Sequence, residues 1–137
     1  FRRLVAWQVL PCQVMVPIML RWGLVYEERE ADVLWLCRAV PRRWLAPGEI
    51  VKVRRVPTRF GRVGFSIALG GDGTGMLRLR LPEEPVAAQI RLRLRLPEGR
   101  VTAVRLRDVP LPLQEDVVLL PAGLQGRLRL AVEWSRG

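Results

Sequence analysis

The chain has 137 residues, with 23 lysines and arginines against 13 aspartates and glutamates and a formal net charge of +10. It contains no histidine and no asparagine, which excludes a Ser-His-Asp or Cys-His catalytic arrangement and a zinc site of mixed thiolates and imidazoles within it. The length predicts one domain able to bury roughly two-thirds of the surface its unfolded chain exposes, without disulfide staples.

Residues 1 to 26 are bulky and apolar, with Arg2, Arg3 and Arg21 near their ends. Pro11 and Pro17 would each cost a helix interior about 3 kcal/mol, so short or kinked helical pieces are expected here. The run Leu4 to Leu20 carries Gln8 and Gln13 and is shorter than the ~20 residues of a membrane-spanning helix. It is instead expected to pack on the sheet, on a partner chain or on an upstream part of the same protein. Phe1 begins in mid-pattern, so residues 1–30 read as an apolar helical remnant of an upstream domain and 31–137 as a separate domain.

Glu27 to Asp32 forms a polar turn, and Val33 to Ala39 reads as the first strand. Pro41 to Leu45 reads as one helical turn opened by proline, where the missing donor does no harm. Strands are expected at Ile50–Val56, Arg62–Leu69, Met76–Leu81, Ala88–Leu96, Arg100–Leu106, Asp116–Leu120 and Leu124–Trp134. Glycine and proline turns separate them. Gly70 to Gly75 is a hairpin loop rather than a phosphate loop, since no lysine and hydroxyl pair follows it. Short strands about every ten residues predict an all-β fold, an antiparallel β-sandwich of about eight strands with a short apolar helical segment in front.

The strands alternate apolar residues with arginine. In Gln89 to Leu96 a period of two sets Ile90, Leu92, Leu94 and Leu96 on one face and Arg91, Arg93 and Arg95 on the other. Those three arginines are the candidates for contact with a polyanion, with no aromatic interleaved among them in sequence. Trp35, Phe65 and Trp134 fall in apolar stretches and are assigned to the core. The carboxylates of Glu27, Glu28, Glu30 and Asp32, and those of the later turns, read as solvated rather than as a catalytic pair facing across a sugar. Cys12 and Cys37 could pair or stay free. No cofactor, metal site or catalytic residue is assigned.

Three local patterns carry a family resemblance. Met19-Leu20-Arg21-Trp22-Gly23-Leu24-Val25-Tyr26-Glu27-Glu28 is followed by Val33-Leu34-Trp35-Leu36 running into Val40-Pro41-Arg42-Arg43-Trp44-Leu45, and then by Val56-Pro57-Thr58-Arg59-Phe60-Gly61-Arg62-Val63. Their order and spacing resemble the C-terminal end of large bacterial six-hairpin glycosidase-like proteins, where a last toroid helix leads into a terminal β-sandwich. The match covers about residues 19 to 65; beyond that only the strand rhythm and Leu94 to Gly99 conform. Val56 stands where that family usually has alanine.

The carboxylates such glycosidases use lie in the toroid, so none transfers onto this chain. The resemblance therefore implies a non-catalytic accessory sandwich of a carbohydrate-active protein, with the upstream catalytic domain of the same polypeptide as its partner. Trp22, Trp35, Leu36, Val40 and Trp44 are the docking candidates. The alternative is a free-standing basic domain that binds nucleic acid or acidic glycan through its arginine face.

Overall fold

The computed structural model describes residues 22–28 and 30–136. The expected apolar pieces over residues 1 to 21, and the question of a bond between Cys12 and Cys37, lie outside the described residues. Trp22, Gly23 and Leu24 are helical and run directly into β1 (Val25–Glu27). The order then continues through β2 (Val33–Leu36), a 3-10 turn (Arg42–Leu45), β3 (Ile50–Thr58), β4 (Gly61–Leu69), β5 (Thr74–Arg80) and β6 (Gln89–Arg93). It closes with β7 (Arg100–Leu106), β8 (Val109–Pro110), β9 (Leu113–Gln114), β10 (Val117–Leu120) and β11 (Arg127–Ser135).

These strands form two sheets, a five-stranded one in the order β1-β2-β6-β10-β9 and a six-stranded one in the order β3-β4-β5-β11-β7-β8. Among the described residues the fold is thus all-β and sandwich-like, as the alternation of apolar and charged residues requires once each sheet has one dry face. Three elements escaped the sequence reading. β1 straddles the end of the apolar segment expected to be helical, at Val25 and Tyr26, and the start of the polar turn, at Glu27, while β8 and β9 are two-residue strands around Pro110 to Pro112. Strands this short have no period from which to be recognised.

One pair departs from the expected antiparallel arrangement: β2 and β6 run parallel, with Leu34 opposite Ile90 and Leu36 opposite Leu92. Between them the chain passes through β3, β4 and β5 in the other sheet, and its return sets β6 in the same direction as β2. The inner rows are continuous across strands. Leu34, Ile90 and Leu120 align in the smaller sheet, and Val53, Phe65, Leu79 and Leu128 in the larger. Facing one another, they build one core that includes Ile67, Leu77, Leu130 and Trp134. Each large apolar side chain withdrawn from water in this way contributes about 1.5–3 kcal/mol.

The turns are fixed by local chemistry. The Asp72 carboxylate accepts hydrogen bonds from the Thr74 hydroxyl at 2.8 Å and the Thr74 amide at 3.1 Å, which hold its pKa below the ordinary carboxylate value. The Trp134 indole N–H donates to the Gly70 carbonyl at 3.0 Å, tying this expected hairpin to the last strand. Pro41 opens the 3-10 turn as expected, with φ −58°.

Candidate functional surface

The outer face of the five-stranded sheet gathers most of the residues singled out from sequence. The register sets Tyr26, Trp35, Arg91 and Leu119 in one row across β1, β2, β6 and β10. Trp35 is therefore an outer-face residue, correcting its assignment to the core, while Phe65 and Trp134 are buried as expected. Its ring lies between two guanidinium groups, Arg91 at 5.5 Å and Arg93 at 5.3 Å from the centroid. So the arginine stripe does have an aromatic interleaved, supplied by a neighbouring strand more than fifty positions away (91 − 35 = 56). Cross-strand neighbours of that kind leave no trace in a linear pattern.

This face is largely engaged with itself. The Trp35 indole N–H donates to Glu28 Oε1 at 2.7 Å, and Arg91 Nε donates to Gln89 Oε1 at 3.1 Å. Arg93 donates from Nη1 to the Arg38 carbonyl at 3.3 Å, and its Nε lies 3.7 Å from Asp116 Oδ1, an ion pair too long for a hydrogen bond. Arg95 is half-buried beside Trp22, Tyr26 and Arg38, and Arg38 stacks on Tyr26 at 4.2 Å. Arg91, Arg93 and Arg95 are all half-buried; Arg91 and Arg93 are committed to partners within the chain, whereas the Arg95 Nε is buried without a hydrogen-bond partner among the described residues.

The docking candidates divide by exposure. Leu36 and Val40 are enclosed in this chain's own core and present no surface to a partner. Trp22 is 51 % exposed and Trp44 half-buried. A recess of about 510 Å³ opens between the helical residues and the 3-10 turn, lined by Leu24, Arg43, Trp44, Glu49, Ile50, Val51 and Lys52. Ile50 at its rim is 69 % exposed, a large apolar side chain left in water, and sequence reasoning missed it because it opens a strand otherwise read as ordinary.

Three of the carboxylates considered for catalysis, Glu27, Glu28 and Asp32, hold structural partners. Glu27 Oε1 accepts from the Arg59 amide at 2.7 Å, and Glu28 holds Trp35 as above. Asp32 lies 3.7 Å from Arg59, whose Nη2 also donates to the Glu28 and Ala31 carbonyls at 2.7 and 2.6 Å. Arg59 thereby pins the β3–β4 hairpin of one sheet to the β1–β2 turn of the other. Burial pushes the Cys37 thiol up to about 12, so at neutral pH it is a protonated apolar side chain and no nucleophile.

No family model and no curated protein matches the sequence. Among solved structures the chain is similar to a GH127 β-arabinofuranosidase, at 10% identity and a TM-score of 0.47, over 78% of this chain and 18% of that one. The chain thus spans less than a fifth of that structure's length.

Proposed function

We propose that this chain is a non-catalytic accessory β-sandwich of a carbohydrate-active protein, packed against a helical catalytic domain of the same polypeptide. One observation carries the reading: the recess around Leu24, Trp44 and Ile50 opens beside the point where the apolar residues 1 to 21 join the sandwich. Ile50 at that recess and Trp22, which lines a separate hollow with Tyr26 and Arg38, are half or more exposed, and a partner surface would withdraw them from water, each for roughly 1.5–3 kcal/mol on full burial. The motif from Val40 to Leu45 that resembles six-hairpin glycosidase-like proteins supplies the turn that carries Trp44. Chemistry would reside in the partner domain, since this chain has no histidine and its described carboxylates near β1 and β2 hold the fold together.

Hydrogen exchange on the product of the whole reading frame, compared with this chain alone, tests the proposal. Amides of residues 22–24 and 43–52 are expected to exchange about tenfold more slowly in the longer product, a protection of about 1.4 kcal/mol. Equal exchange in both, or a reading frame that encodes no helical domain upstream, overturns it.

A further inference from the structure

The outer face of the six-stranded sheet carries a different and less committed set of cations. Register sets Lys52, Ser66, Arg78 and Arg129 in one row across β3, β4, β5 and β11, and Gly64, Arg80 and Arg127 in the next. Arg78 thus stands directly opposite Arg129, and Arg80 opposite Arg127, with all four exposed and none within ion-pair distance of a carboxylate among the described residues. Like charges directly opposite across strands destabilise a sheet. A soluble sheet needs charge on its wet face, but it does not need the same charge on both sides of a pair.

The strand beside them adds a second cost. The β3–β4 register slips between Val53 and Val56, and Arg55 in that bulge sits in the left-handed region at φ +44°, uncommon for a side chain of its size. The bulge presses β3 onto Gly64, where any Cβ would lie 2.9 Å from the Val53 carbonyl oxygen. The result is a low floor of Gly64 and Ser66 between Lys52, Arg54 and Arg55 on one side and Arg80 on the other. This hollow of about 530 Å³ joins a second of about 540 Å³, which shares Arg55, Gly64 and Arg80 and extends to Arg62 and Arg127. Together they form an open groove whose walls carry Lys52, Arg54, Arg55, Arg62, Arg80 and Arg127 against a single carboxylate, Glu83, among the described residues.

We propose that this groove binds a linear carboxylated glycan. Planar guanidinium groups match carboxylates as two-pronged donors, and adjacent strands repeat them about 4.8 Å apart, on the scale of one charge per sugar unit. Among the described residues the only aromatic lining the groove is Phe65, which is 3 % exposed, so these supply no ring on which a nucleobase could stack as single-stranded nucleic acid binding requires. Neither does the groove project a helix or ribbon that could enter a duplex. The assignment rests on charge and shape alone and stands whether or not the docking reading does.

Affinity electrophoresis of the full chain in gels containing polygalacturonate tests it, with dextran as the neutral control. Retardation by polygalacturonate alone is expected, weakened about tenfold in Arg55→Gln/Arg80→Gln and left within about twofold by Arg100→Gln/Arg136→Gln, which removes the same charge from the far end of the sheet. The single variant Arg127→Gln guards against misfolding: it relieves the like-charge pair with Arg80, so its melting temperature is expected to match or exceed that of the parent while retardation falls. Four results overturn the proposal: no retardation at about 50 mM salt, equal loss in the two double variants, retardation undiminished in Arg127→Gln, or tighter binding to duplex DNA or oligo(dT) than to polygalacturonate.

Discussion

Arg59 does more at the residue scale than any other side chain described. It donates to two backbone carbonyls across the sheet boundary, and its own amide is held by Glu27. Those carbonyls are at a solvent-accessible turn, so water compensates in part for their loss; Arg59→Ala is expected to cost about 1–2 kcal/mol, read as a shift in the midpoint of urea unfolding. Cys37 gives the pH-dependent counterpart. Burial raises its folded pKa to about 12, above the ordinary thiol value near 9, so the stability tied to the neutral thiol is complete below pH 9 and lost as pH rises from 9 towards 12. Urea midpoints of the parent and Cys37→Ala are expected to diverge only in that window. In a Cys12→Ser background, alkylation of Cys37 at pH 8 is expected only on unfolding.

At the scale of elements, the period-two runs were legible because each strand carries its own pattern: Arg127 to Ser135 alternates exposed and buried without a break. What lies between strands was not. Trp35 was misread because Val33 to Leu36 is apolar throughout, and only pairing with β6 decides which face is wet. The bulge at Arg54 and Arg55 was equally hidden, since two consecutive arginines read as an exposed stretch and not as a register slip. The same limit applies to Gly99, which looks like an ordinary turn residue after Pro97 and Glu98. It adopts φ +85°, and a Cβ there would collide with the Ser135 carbonyl oxygen and the Arg136 backbone. Gly99→Ala is therefore expected to destabilise by more than about 1 kcal/mol through both strain and collision, with thermal unfolding as the measurement.

At the scale of the whole molecule, charge and topology pull in different directions. A net charge of +10 in a single small domain opposes compaction, and the paired arginines of β5 and β11 concentrate that repulsion on one sheet. Raising salt from about 10 to 150 mM, where the screening length shortens from ~30 to ~8 Å, is expected to raise the melting temperature of the parent. Arg129→Gln is expected to show a smaller rise, with differential scanning fluorimetry as the readout.

The parallel seam between β2 and β6 has a consequence for how the chain is made. During synthesis β1 and β2 emerge well before β6, their only described sheet neighbour, which begins at Gln89. The larger sheet stays divided until β11, at the C-terminal end of the described residues, inserts between β5 and β7. A nascent chain therefore holds unmatched apolar faces until β11 has emerged, a state that favours chaperone capture and makes loss of β11 disabling.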